Sequence, residues 1–116
     1  MNPTYAASQL RRGVLGPLVL AILENHDRYG LELVRTLSLH GLIASEGTVY
    51  PLLTRLLDEG LVNSEWVVSD EHRPRRFYQL TPKGKEELGA FRIEWPRFKA
   101  SVDTLITYGK DQETHR

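Results

Sequence analysis

Between Gly60 and Thr81 the hydrophobic period of this chain shifts from about 3.6 residues to two, and then shifts back. No other feature limits the fold as much, because it fits one hairpin, and little more sheet, between helical segments. Leu61-Val62-Asn63-Ser64-Glu65-Trp66-Val67-Val68 alternates and is rich in β-branched and aromatic residues, as strands are. Arg76-Phe77-Tyr78-Gln79-Leu80 forms a second strand, and the polar stretch from Ser69 to Arg75 is the charged loop between them.

Before the hairpin the pattern is helical. Leu10 and the run Val14 to Leu23 are apolar enough for a buried helix, with Ser8 as its cap and Glu24-Asn25-His26-Asp27 as its polar exit. Pro17 has no amide donor and clashes one turn back, so either the helix kinks there or a new one opens with Pro17 in its first turn. Tyr29, Leu31, Leu33, Val34 and Leu37 mark a short second helix, closed by Gly41 in a left-handed cap. Leu42-Ile43-Ala44 is then extended. Ser45-Glu46 opens a third helix by a side-chain cap and an acid in the first turn, and this helix runs to about Glu59. Val49, Leu52, Leu53, Leu56 and Leu57 form its apolar stripe, leaving Thr48, Tyr50, Pro51, Thr54 and Arg55 largely on the other face.

Thr81-Pro82 restarts a helix, with a hydroxyl cap and proline at its first position, and the spacing carries it to about residue 108. Leu88, Phe91, Trp95, Phe98, Val102 and Leu105 alternate steps of three and four, a heptad seam that requires a partner. Pro96 interrupts it and should bend the helix. The fold class is therefore mostly α with a small β-hairpin. Residues 1–80 make a winged helix-turn-helix domain, 81–109 a long C-terminal dimerisation helix, and 110–116 a flexible tail.

Charge matters here through its placement, since 15 basic and 15 acidic residues cancel. Residues 58–72 hold Asp58, Glu59, Glu65, Asp70 and Glu71 with no Lys or Arg, whereas residues 73–85 hold Arg73, Arg75, Arg76, Lys83 and Lys85 with no acid. Alone, such a block reads as a solvated face. On the wing of a winged helix it falls where geometry brings phosphate, while the third helix enters the major groove. The DNA-binding candidates are Ser45, Thr48, Tyr50, Thr54 and Arg55 on that helix, and Arg73, Arg75, Arg76 and Lys83 in and after the wing. Two of these have a structural alternative: Tyr50 packs on the first helix, or Arg55 pairs with Asp58 or Glu59.

Other classes find little support. Zero cysteines exclude a disulfide framework, an iron–sulfur cluster and a thiolate zinc finger, and suit a reducing cytoplasm. No apolar run approaches a membrane span, and the N-terminus lacks a signal-peptide pattern. His26, His40, His72 and His115 are scattered without a ligand frame, and neither a phosphate-cradling glycine loop nor a catalytic signature is present, so no metal, cofactor or enzyme activity is expected. The rival class is a winged-helix module that binds protein, with the long helix as an adaptor arm.

The blocks Leu10-Arg11-Arg12-Gly13-Val14-Leu15, Tyr29-Gly30-Leu31-Glu32-Leu33 and Ser45-Glu46-Gly47-Thr48-Val49-Tyr50-Pro51-Leu52-Leu53 have a further significance. With Arg55-Leu56, Glu59-Gly60-Leu61-Val62 and Arg75-Arg76-Phe77-Tyr78-Gln79-Leu80-Thr81-Pro82-Lys83-Gly84, they resemble the PadR-like transcriptional regulators. The resemblance implies a cytoplasmic, homodimeric repressor of the compact branch, bound to double-stranded operator DNA, with the dimer formed by the C-terminal helix. Thr48, Tyr50 and Arg55 match the family's recognition helix. The resemblance also implies release by a small planar aromatic effector, with Trp95 at the position of a pore-lining tryptophan; as a residue alone, Trp95 is equally a core residue of the helix pair. Two features depart from the family: His72-Arg73-Pro74 stands at the wing tip where many relatives carry glycine, and Pro96 lies within the dimer helix.

Overall fold

Pro17 falls in the first turn of a helix, which resolves the first ambiguity. The computed structural model describes residues 9–43 and 45–114, so the Ser8 cap, Ala44 and the end of the tail, His115 and Arg116, lie outside the described residues. Helix α1 (Leu15–Asn25) follows Gly13, which turns the chain at φ 82°. It leads through a two-residue strand β1 (Arg28–Tyr29) into α2 (Gly30–Leu39). The amide of Tyr29 donates to Glu32 Oε1 at 2.9 Å, supplying half of a capping box. Gly41, at φ 69°, ends α2, with the Leu42 amide donating to the Leu37 carbonyl.

The third helix begins differently from its sequence signal. Ser45 makes no side-chain capping bond; instead a 3₁₀ turn, Glu46–Thr48, leads into α3 (Val49–Asp58). Strands β2 (Val62–Ser69) and β3 (His72–Leu80) form the antiparallel wing, pairing Val62 with Leu80 and Trp66 with Arg76. β1 joins as a third strand, placing Arg28 opposite Tyr78 and Tyr29 opposite Phe77, in the sheet order β1-β3-β2. The hairpin is thus a three-stranded sheet.

Helix α4 (Pro82–Thr114) starts as its sequence indicates, with the Gly84 amide donating to Thr81 Oγ1 at 3.0 Å. Thr81 Oγ1 in turn donates to the Gly60 carbonyl at 2.7 Å, tying the helix start to the end of α3. Gly84 is required there: a Cβ would lie 2.1 Å from the Leu61 carbonyl oxygen. The helix continues through Pro96 and past residue 109 to Thr114. The chain from Lys110 therefore extends the helix as backbone, a correction to its reading as a tail, and one interior glycine at 109 costs too little to stop it.

The core joins all three early helices to the sheet. Val19, Leu20, Leu23, Leu33, Leu37, Val49, Leu53, Leu56, Val62 and Tyr78 are buried, and Leu88 of α4 with them. A boundary at residue 80 therefore does not separate two packing units. Glu24 of α1 fastens the next turn through Arg92, at 2.9 Å and 3.0 Å. From Arg92 to Tyr108 every side chain is exposed, and a 33-residue helix is about 50 Å long, so α4 projects from the head along a 70 Å molecular axis.

Candidate nucleic-acid interface

At about 100° per residue, the buried stripe of α3 at Val49, Leu52, Leu53 and Leu56 directs Pro51 and Thr54 straight outward. Tyr50 occupies one flank of that ridge, and Thr48 with Arg55 the other. Tyr50, 44% exposed, leans toward the wing, where its ring comes near Gly30 beside that of Tyr78. A Cβ on Gly30 would stand 3.3 Å from Tyr50 and 3.4 Å from Tyr78, so this glycine lets the two rings close over the start of α2.

Strand alternation places neighbouring arginines of the wing on opposite faces. The Arg76 guanidinium lies 5.3 Å over the ring of Trp66, its cross-strand partner. The Arg75 guanidinium lies 5.7 Å over Tyr29, which meets Phe77 edge-on at 4.8 Å. Each cation is pre-oriented by an aromatic ring, an arrangement contributing about 0.5–1 kcal/mol at an exposed site. Tyr29, Glu32, Arg35, Tyr50, Arg75, Arg76 and Tyr78 line one groove between α2, α3 and the wing. Burial pushes the Tyr78 hydroxyl above the ordinary tyrosine range, against the opposing pull of Arg76.

The wing tip differs from its sequence reading. His72-Arg73-Pro74 belongs to β3, and the turn itself is Asp70-Glu71. Ser69 pairs with His72 and Val67 with Arg75, so Arg73 and Pro74 oppose Val68 alone in a bulge that absorbs the proline. The tip is acidic and the cations lie along the shaft. The basic block also divides in space: Lys83 Nζ donates to the Glu59 carbonyl at 2.8 Å, held at the C-terminus of α3 rather than in the wing.

Two more candidates, Arg55 and Thr54, have partners of their own. Arg55 Nε lies 3.8 Å from Glu59 Oε1, an exposed i,i+4 pair of little strength. Thr54 Oγ1 donates to the Tyr50 carbonyl at 3.1 Å, leaving its lone pairs to accept. Ser45 is exposed at the approach to α3. The sequence reading missed Tyr29, Arg35 and Trp66; an exposed tryptophan one residue from a strand's acid was its one available signal for the last.

Along α4 the seam divides. Leu88 is 2% exposed and belongs to the head's own core, which corrects its place among the dimerisation candidates. Phe91 is half-buried, and Phe91, Trp95 and Phe98 stack in succession at 5.9 Å and 6.4 Å. Val102 and Leu105 continue the exposed face. A groove of about 290 Å³ between Arg12, Gly13, Val14 and Phe91, Glu94, Trp95, Phe98 runs beside the indole. Among the described residues no group of three or more His, Cys, Asp or Glu side chains is placed to hold a metal ion, and no helix is long and apolar enough to cross a membrane.

The fold recurs in known proteins. The family described as the transcriptional regulator PadR-like family matches residues 19–90. A transcriptional regulator of Mycobacterium tuberculosis is 38% identical over 80 residues, 69% of this chain and 74% of that protein. A PadR family regulator from Eggerthella lenta has 35% identity and a TM-score of 0.79, over 89% of this chain and 90% of the other. Bacillus subtilis PadR, solved in complex with operator DNA, is 26% identical with a TM-score of 0.64, over 71% of this chain and 47% of its own. The chain belongs to the PadR-like family of transcriptional regulators, a family of regulators rather than enzymes.

Proposed function

We propose that this protein is a homodimeric, cytoplasmic transcriptional repressor that binds double-stranded operator DNA. Helix α3 reads the major groove, the wing shaft holds the backbone, and α4 clasps a second copy. The observation that carries this reading is the groove where Tyr50 of α3 meets Arg75 and Arg76 of the wing, together with Arg35. The acid in its lining, Glu32, accepts from the Tyr29 amide and forms no ion pair with Arg35, Arg75 or Arg76 among the described residues, which leaves these cations available to phosphate. The operator complex of Bacillus subtilis PadR supports the same use of this fold.

Dimerisation rests on α4, where Trp95, Phe98, Val102, Leu105 and Ile106 present apolar surface that stays exposed among the described residues. The Trp95 groove, at about 290 Å³, lies just below the roughly 300–1,000 Å³ of ligand sites. A facing copy would close it into a chamber for a small planar aromatic effector stacked on the indoles.

A gel-shift titration on the DNA upstream of the protein's own coding region, at two salt concentrations, tests the reading. With three or four phosphates neutralised by each subunit of the dimer, affinity should fall roughly 10³- to 10⁴-fold between about 50 and 200 mM salt. A reporter driven by that DNA should be silenced. Absence of binding at low salt would leave a protein-binding winged helix in its place. Trp95 fluorescence, read with Trp66→Phe to remove the second indole, should respond to planar aromatics; a flat response across a panel ends the effector reading.

A further inference from the structure

Helix α3 has two flanks, and the wing serves one of them. On the other, Arg11, Arg12, Thr48 and Arg55 line a cleft of about 490 Å³ floored by Gly16 and Leu52, with no carboxylate in its lining. Arg11 is half-buried and Arg12 exposed, and neither is paired with an acid among the described residues. The guanidinium of Arg55 comes within 3.5 Å of where a Cβ on Gly16 would sit, so it lies across the start of α1. That start is positive in its own right. Val14 at its N-cap supplies no side-chain bond to the first-turn amides.

Arg11 and Arg12 bring two guanidinium groups without an acid partner among the described residues to the positive end of a helix, beside Arg55, whose pair with Glu59 at 3.8 Å is exposed and weak. Such an arrangement attracts an anion, and its position says which one. A major groove about 12 Å wide is bordered by two sugar-phosphate strands. With the ridge of Pro51 and Thr54 in the groove, Arg35, Arg75 and Arg76 stand on one side of it and Arg11, Arg12 and Arg55 on the other. We propose that Arg11, Arg12 and Arg55 form a second phosphodiester-binding shoulder that holds the DNA strand the wing does not reach. This rests on the DNA-binding reading above and adds to it. It gives the Arg11-Arg12 pair a role and assigns Arg55 to the backbone rather than to a base edge.

The test is the double variant Arg11→Ala/Arg12→Ala in the full chain, measured by fluorescence anisotropy on the upstream duplex and on an unrelated duplex. Affinity for both should fall alike, by roughly tenfold per lost contact at about 50 mM salt, and the slope of log affinity against log salt should flatten by about two per subunit, roughly four for the dimer. The ratio between the duplexes should hold, because backbone contacts carry no sequence information. The melting temperature should stay level or rise as like charges separate. Arg11→Lys/Arg12→Lys should keep the wild-type slope, and the exposed single variant Arg12→Glu repeats the test should the double variant fail to fold.

Unchanged binding by the double variant, beside weakened binding by Arg75→Ala/Arg76→Ala, would overturn the shoulder and leave the DNA reading intact. Failure of the wild type to bind any duplex at low salt would remove both. Inorganic phosphate that raises the wild-type melting temperature but not the double variant's, with duplex affinity unaltered, would make the cleft a site for a small anion and overturn the proposal.

Discussion

The head of this protein and its C-terminal arm use similar apolar residues to opposite ends. In the head, Leu20, Leu33, Leu37, Leu53 and Leu88 are almost wholly withdrawn from water. In the arm, Phe98 is 63% exposed and Leu105 69% exposed. The head is complete within one chain, since three helices and a sheet surround its core. The arm leaves the head after the Glu24–Arg92 bond and carries an apolar face that stays exposed among the described residues. Hydrophobic pattern reports what must be covered, and the fold decides whether the same chain can do so.

The sharpest way to break this contrast is to charge the arm. Phe98→Glu should leave the head folded, by circular dichroism and melting, yet yield single subunits in sedimentation. Loss of the paired heads should then lower duplex affinity by roughly 10²-fold or more, the scale on which linked sites gain over separate ones. A paired Phe98→Glu species would put the interface elsewhere.

Truncating one leucine on each side sharpens the contrast further. Leu53→Ala should cost the head about 2–5 kcal/mol, because it opens a cavity in a closed core. Leu105→Ala should leave unfolding of isolated subunits within about 0.5 kcal/mol, as exposed positions do, while weakening self-association. Equal effects in chemical denaturation of monomers would erase the distinction.

Where arm joins head, Gly84→Ala drives a methyl group into the Leu61 carbonyl. The expected loss is about 1–3 kcal/mol, read as a lower denaturation midpoint. The Glu24–Arg92 bond gives the smallest effect and a pH signature. Its hydrogen bond from Arg92 holds the Glu24 carboxyl below the ordinary range. The stabilisation is present above the unfolded carboxylate pKa and is lost as pH falls through the lowered folded value. Glu24→Gln should therefore melt slightly earlier than wild type at neutral pH and level with it in acid. A difference that persists at low pH would assign the contact to packing.

The order of helices, wing and long helix was legible because each period change coincides with a glycine, a proline or a hydroxyl cap. Strand β1 was not, since two residues show no alternation and Arg28-Tyr29 becomes a strand only by pairing with Phe77 and Tyr78. The wing arginines were legible as charges but not as geometry. The bulge at Arg73-Pro74 moves the turn to Asp70-Glu71, and Lys83 leaves the block to close α3. Leu88 opens the heptad seam in sequence and belongs to the core in space, because spacing cannot say which surface an apolar residue meets. The Arg11-Arg12 pair was legible as part of a family block but not as part of a site, as its company with Arg55 arises only when α1 and α3 pack.

Native mass spectrometry of the intact protein with the duplex upstream of its coding region tests the central claim most directly. Two copies clasped through α4 should appear alone as a dimer, and on the duplex as two chains for each DNA molecule. Single subunits at micromolar concentration, or a complex holding one chain per duplex, would contradict it.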